Sequence, residues 1–179
     1  MHKDVEEILF SLDQIVARCD EIGKQISKDY EGKTPVIIGL LKGCVPFMAE
    51  LIKHIDCDIQ IDFFDVSSYD GVNQTGNIRI LKDIETDVHG RDIIICEDIV
   101  DTGLTIKRVM ELLGCRGATS VEVVTLFDKK EGRTVSNIEP KYIGFDVPKK
   151  FVVGFGLDYN EVYRNLPYVG VLKRTVYEK

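Results

Sequence analysis

Ile93-Ile94-Ile95-Cys96-Glu97-Asp98-Ile99-Val100-Asp101-Thr102-Gly103-Leu104-Thr105 is the most informative stretch of the chain. It opens on a short apolar run, mostly β-branched, from Ile93 to Cys96. Such a run reads as a strand buried on both faces, as in a parallel sheet. Two carboxylates, Glu97 and Asp98, follow at once. Then comes a small loop, Asp101 to Thr105. Beyond it Ile106, Val109, Met110, Leu112 and Leu113 recur at helical spacing. The order is strand, acidic pair, glycine and threonine loop, helix.

That order has a physical meaning. A helix N-terminus offers unpaired N–H groups and the positive end of the helix dipole. A loop of small residues lets an anion approach them, and Thr102 and Thr105 add hydroxyl donors. The loop therefore reads as a cradle for one phosphate. It is not a GxxxxGK(S/T) loop, because no lysine sits in the cradle, and it is not GxGxxG. Carboxylates at the strand end would repel a phosphate. They suit a neighbouring diol or a hydrated Mg²⁺, which offer donors or positive charge. Phosphate, diol and magnesium side by side describe a ribose 5-phosphate. The bland alternative is a buried strand, a turn and a helix with chance acids. The agreement between loop chemistry and loop placement argues against it.

The rest of the chain supplies companions. Residues Asp4 to Lys28 place Ile8, Leu9, Leu12, Ile15, Val16, Cys19, Ile22 and Ile26 at helical spacing, which predicts one amphipathic helix. Val36 to Leu41 is a second buried strand. Lys42-Gly43-Cys44 follows it, and then a helix from Val45 or Pro46 to about His54, with proline well placed in the first turn. Strand, tight lysine-glycine loop and helix form a second anion-binding geometry; alone, the loop reads equally as a turn with a solvated lysine. Cys57 to Val66 and Asn77 to Leu81 read as strands. The polar segment between them, Ser67 to Gly76, reads as a mobile loop. Gly114 to Gly117 reads as a turn and Val121 to Phe127 as another buried strand. Lys129 then follows where the ends of an open α/β sheet face a ligand crevice. Tyr142 to Asp146 reads as a further strand.

The Ile93–Thr105 stretch closely resembles the 5-phosphoribosyl-1-diphosphate (PRPP) motif of the type I phosphoribosyltransferases: apolar residues, two acids, two apolar residues, Asp-Thr-Gly-x-Thr. The tail from Phe151 to Glu161, with its Val-Val-Gly-aromatic-x-x-Asp-Tyr run, resembles the purine-binding hood of the hypoxanthine-guanine phosphoribosyltransferases. Arg164 and the segment Leu166 to Gly170 continue that match. The Leu-Lys-Gly loop resembles the family's diphosphate loop, which often carries a cis peptide before the lysine, here Leu41-Lys42. Ser68-Tyr69 resembles the serine-tyrosine pair of the family's long closing loop. The resemblance runs from about Val36 to Leu172.

The resemblance implies an α/β fold with a central, mostly parallel sheet flanked by helices. It implies a single domain over residues 1–179, with a core at about 30–145. A small hood would form from about 146–179 together with the N-terminal region. The activity implied is Mg²⁺-dependent transfer of 5-phosphoribosyl from PRPP to N9 of hypoxanthine or guanine, a purine-salvage reaction. Asp101 would be the general base. Glu97 and Asp98 would hold the ribose hydroxyls, and these two with Asp158 would hold Mg²⁺. Thr102, Gly103, Leu104 and Thr105 would bind the 5′-phosphate. Lys42, Gly43 and Arg164, assisted by Arg133, would bind the diphosphate. Ser68 and Tyr69 would belong to the lid. Lys129 would bond purine O6, Phe151 would stack on the ring, and Val152 and Asp158 would complete the base site. One departure is Leu104, where the family often has lysine. Rival readings are a xanthine-guanine transferase and a non-catalytic PRPP-binding regulator. The family's habit implies a homodimer or homotetramer.

Composition bounds these readings. At 179 residues, 44% hydrophobic and 30% charged, the chain has the make-up of one soluble globular domain. A net charge of −7 argues against bulk nucleic-acid binding and so against an operon regulator. No apolar run is long enough to span a membrane. The N-terminus has no signal-peptide pattern, which leads to an expectation of a cytoplasmic protein. The five cysteines form no CxxC pair and are expected to be reduced. His2, His54 and His89 are scattered, so any metal is expected to be held through oxygen.

Overall fold

A computed structural model describes residues 1–68, 78–148 and 150–178, with Ser68 by its main chain alone. The Ile93 run lies at the centre of a six-stranded sheet. In chain order its strands are β2 (Val36–Leu40), β3 (Gln60–Ser68), β4 (Ile78–Lys82), β5 (Asp92–Val100), β6 (Ser120–Asp128) and β7 (Tyr142–Asp146). Across the sheet the order is β4-β3-β2-β5-β6-β7. All neighbours are parallel except the edge pair β3/β4, which is antiparallel. In register, Val36 pairs with Ile93 and Ile93 with Val121.

The continuous apolar runs are explained by two covered faces. Side chains alternate along a strand, so Ile37 and Ile94 pack with helices α1 (Leu12–Asp29) and α2 (Cys44–Leu51). Val36, Ile38, Ile93 and Ile95 pack on the other face with Ile106, Val109 and Leu113 of α3 (Leu104–Cys115). A 3₁₀ turn, Ile52–His54, extends α2. The five parallel strands all end at one edge of the sheet, and the site forms there.

The N-terminus departs from the expected single helix. Val5–Phe10 is a strand, β1, and the helix starts only at Leu12. A capping box sets the boundary: the Ser11 hydroxyl accepts from the Gln14 amide, and the Gln14 side chain accepts from the Ser11 amide. β1 pairs antiparallel with β9 (Val169–Leu172), which pairs with β8 (Val152–Val153) in a separate three-stranded sheet. Ile8 and Leu9 fit a helical stripe by spacing, but a distant partner strand claims them. Ile8 is exposed and Leu9 half-buried.

Smaller differences follow the same logic. The acidic pair does not follow β5 but lies within it, because the pairing with β6 continues to Val100. Gly114 and Cys115 belong to α3 rather than to a turn. Strand β3 starts at Gln60 and β4 at Ile78. The segment read as a mobile loop lies outside the described residues beyond Ser68, as do Tyr69 and Asn77. A last short helix, α4, spans Arg174–Tyr177.

Candidate functional site

Two cavities meet at the carboxyl end of β5. The first, about 130 Å³, is lined by Glu97, Ile99, Val100, Asp101, Thr102, Gly103, Thr105 and Ile106. The second, about 230 Å³, is lined by Asp98, Ile99, Asp101, Lys129, Phe151, Val152, Leu157 and Asp158, with Lys150 at its wall. Ile99 and Asp101 belong to both. The loop read as a phosphate cradle and the residues read as a base site are thus adjacent, with Asp101 between them.

The cradle is built by α3. Gly103 is its N-cap with φ of 79°, a left-handed backbone that suits glycine. A Cβ there would lie 2.9 Å from Val135 and 3.1 Å from Arg133. Segment 133–135 also ties the loop from outside: the Thr134 amide donates to the Thr102 carbonyl at 3.1 Å. Arg133 lines neither cavity. Its guanidinium donates to the Asp101 carbonyl at 3.3 Å and pairs with the buried Asp128 carboxylate. Leu104 is 44% exposed and does not line the first cavity, and its backbone amide donates to Thr102 Oγ1 at 3.3 Å.

Asp101 is positioned by close backbone approach. A Cβ on Gly132 would come 1.7 Å from Asp101 Oδ1, so only glycine leaves room for the carboxylate. Lys129 Nζ stands 3.4 Å from Asp101 Oδ2. Strand β6 ends at Asp128 and places this lysine at the crevice.

Asp98 is buried and Glu97 half-buried. Burial pushes the pKa of Glu97 well above the carboxylate range, and the Asp98 charge beside it pushes the same way. Its Oε2 is buried with no hydrogen-bond partner. Burial also raises Asp98, opposed by the Ile99 amide and by Arg164. The Ile99 amide donates to Asp98 Oδ1 at 2.8 Å. A Cβ on Gly43 would meet Asp98 Oδ2 at 1.8 Å, so the loop after β2 lies directly against the pair. The Leu41-Lys42 peptide is cis. The Cys44 thiol is pushed up to about 12, by burial first and by Glu97 and Asp98 next. It stays protonated and is no nucleophile.

Two further cations, Arg164 and Lys42, lie on segments that pack against each other next to the acidic pair. Arg164 Nη1 donates to the Gly156 carbonyl at 2.7 Å, and Nη2 stands 3.0 Å from Asp158 Oδ1. Gly156 itself approaches the Gly43 carbonyl so closely that a Cβ would meet it at 2.0 Å. The Lys42-Gly43 loop and the segment around Gly156 therefore touch. Lys42 Nζ lies 3.1 Å from Glu161. Phe151 is 38% exposed; Tyr177 stacks on it at 5.0 Å and Tyr159 meets its edge at 5.5 Å.

Some of these neighbours carry no sequence signal. Gly132, Lys150 and Tyr177 reach the site only through tertiary contact. Glu161 lies inside the quoted hood segment, and its one local clue is an Asn-Glu pair where a tight turn prefers Asn-Gly. Among the described residues no three acidic, histidine or cysteine side chains form a preformed metal cage. Asp158 lines the second cavity with Asp98 but does not join Glu97 and Asp98 in such a cluster.

Comparison with known proteins agrees with the geometry. The family model described as "Phosphoribosyl transferase domain" matches residues 6–160. The hypoxanthine-guanine phosphoribosyltransferase of Streptococcus thermophilus is 54% identical, over the whole of this chain and 99% of its own. A crystal structure of a hypoxanthine phosphoribosyltransferase from Staphylococcus aureus superposes with a TM-score of 0.96 at 49% identity, covering 100% of this chain and 97% of that one. A Trypanosoma cruzi hypoxanthine phosphoribosyl transferase, in a study of its C-terminal region, oligomeric state and activity, gives 0.93 at 34% identity, covering 99% and 96%.

Proposed function

Because the chain belongs to the phosphoribosyl transferase family, we propose that it is the purine-salvage enzyme that joins hypoxanthine or guanine to the 5-phosphoribosyl group of PRPP, releasing diphosphate. The observation that carries this reading is the place of Asp101. Its carboxylate lies on the wall shared by the phosphate-sized cavity and the base-sized cavity, beside the Lys129 ammonium.

The chemistry requires three things. The purine must lose a proton as N9 attacks the anomeric carbon, the ribose must carry oxocarbenium character, and the diphosphate must leave with growing charge. Asp101 takes the proton at purine N7. Lys129, a donor only, faces O6. Phe151 offers its open ring face, and the Val152 backbone the acceptor for N1–H. The amides of Thr102 to Thr105 and the hydroxyls of Thr102 and Thr105 hold the 5′-phosphate. Lys42, Gly43 and Arg164 supply fixed donors where charge develops on the leaving group. Arg133 acts from behind, by holding the Asp101 carbonyl.

Glu97 and Asp98 fit the ribose hydroxyls, because a buried carboxylate oxygen without a partner needs a donor. The same hard-oxygen set fits Mg²⁺, which takes one or two carboxylates plus substrate oxygens rather than a full protein cage. Glu97 and Asp98 would hold it, with Asp158 nearby, and when bound it masks diphosphate charge.

The six-stranded sheet, at about 30–145, acts as the PRPP-binding core, and residues 146–179 with β1 act as the hood. No helix among the described residues is long and apolar enough to cross a membrane. We place the enzyme in the cytoplasm, as a dimer or tetramer.

The test is diphosphate release from PRPP with each nucleobase in turn. Hypoxanthine and guanine are expected to turn over. Rapid turnover of xanthine would favour a xanthine-guanine enzyme, and PRPP binding without release would mark a regulator. Asp101→Asn is expected to lower kcat by about 10²–10⁴-fold while PRPP still binds. Near wild-type kcat would remove Asp101 from the chemistry.

A further inference from the structure

One acidic side chain sits between the two cations of the diphosphate site and has no part in the transfer. Tyr159 and Val162 exchange two backbone hydrogen bonds, each 3.1 Å. Between them, Asn160 and Glu161 both have positive φ, 52° and 65°. Those are the φ signs of a type I′ turn, whose second central position favours glycine. A glutamate there holds a left-handed backbone at a cost. The Glu161 amide secures it by donating to Asp158 Oδ2 at 2.8 Å. The unfavourable choice of residue brings a carboxylate between the two cations. Glu161 Oε2 lies 3.1 Å from Lys42 Nζ, and Oε1 lies 3.4 Å from Arg164 Nη2. Lys42 follows β2 and Arg164 follows the hood segment, so one carboxylate bridges the two segments.

We propose that Glu161 is a tethered anion: it stands in for the diphosphate in the ligand-free enzyme, keeps Lys42 and Arg164 facing each other, and competes with diphosphate for them. The inference rests on the reading of Lys42 and Arg164 as the diphosphate cations. Its carboxylate is 63% exposed, and exposed ion pairs are weak. A more highly charged diphosphate therefore displaces it on entry. On departure the carboxylate returns to the cations and disfavours rebinding. The glutamate thus sets how loosely the product is held.

Calorimetric binding of inorganic diphosphate in the presence of magnesium tests this on the full-length protein. Glu161→Gln is expected to bind diphosphate roughly 3- to 10-fold more tightly than wild type, the scale of two exposed ion pairs. Lys42→Ala is expected to bind it more weakly. If Lys42→Ala leaves the affinity unchanged, the assignment of the diphosphate site falls. If Lys42→Ala weakens binding but Glu161→Gln does not tighten it, the tethered anion falls and the site assignment stands. Glu161→Gly separates charge from backbone strain, since it removes the carboxylate and supplies the residue the turn prefers. It is expected to tighten diphosphate as Glu161→Gln does and also to raise Tm. Tightening by the glycine variant alone would show that the backbone, not the carboxylate, controls the site, and would overturn the proposal.

Discussion

At Asp101 the constraint comes from a neighbour without a side chain. A methyl at Gly132 would fall on Asp101 Oδ1, which is the free end of a half-exposed side chain. The fold can yield by moving the carboxylate. Gly132→Ala should therefore leave Tm nearly unchanged and lower kcat by about 10²-fold, the usual cost of misplacing a reacting group by about an ångström. Thermal melts beside kcat and PRPP affinity check this, and an unchanged kcat would show that the carboxylate has room to spare. Lys129 carries a second prediction. Adenine presents an amino group where hypoxanthine presents O6, so an ammonium would face another donor. Sites built on such pairing reject the wrong analogue by about 10⁴–10⁵-fold. The ratio of kcat/KM for hypoxanthine over adenine should be of that order and should shrink in Lys129→Ala. An unchanged ratio in the variant would assign selectivity to the hood carbonyls instead.

At the scale of elements, buried side-chain oxygens decide where segments start and how they dock. Asp62 on β3 accepts from the Phe63 amide at 2.7 Å and from the Glu85 and Thr86 amides at 2.8 Å each, tying the chain after β4 back to the sheet. Burial opposes its charge, but these amides prevail and hold its pKa below the usual 3.8. A carboxyl with a depressed folded pKa adds stability above its unfolded pKa. That contribution is lost as pH falls through the folded value. Asp62→Asn should thus cost about 2 kcal/mol at neutral pH, as loss of charge-assisted bonds does. The gap to wild type should narrow as pH drops below 3.8. Denaturant titrations at several pH values measure it, and a gap independent of pH would assign the loss to packing. The capping box at Ser11 starts the helix partway along a stripe that spacing alone extends back to Asp4. Local spacing cannot tell a helical turn from a strand whose partner is far away.

At the scale of the molecule the two chain ends pair behind one wall of the second cavity. Besides the β1/β9 pairing, the His2 amide donates to Tyr168 Oη at 2.7 Å, and Tyr163 Oη donates to Asp4 Oδ2 at 2.9 Å. Lys150, at the wall of the base cavity, pairs with Glu7. Removing residues 1–9 would expose the edge of β9 and loosen β8 behind it. The KM for hypoxanthine should then rise several-fold more than the KM for PRPP, because the phosphate cradle belongs to the other sheet. Equal rises in the two constants would show that the sheets do not act separately.

The sequence by itself determined the parts whose physics is local. The two apolar runs are strands because only a sheet covered on both faces buries every residue of such a run. The Asp101–Thr105 loop reads as a phosphate cradle because small residues and a helix N-terminus lie next to each other in the chain. Tertiary structure alone decided the partner of β1, the glycine that makes room for Asp101, and the carboxylate between Lys42 and Arg164. Each depends on residues far apart in sequence meeting at van der Waals or ion-pair distance. Strand partners and close approaches of this kind are chosen by what the rest of the chain leaves to be buried, which no local pattern records.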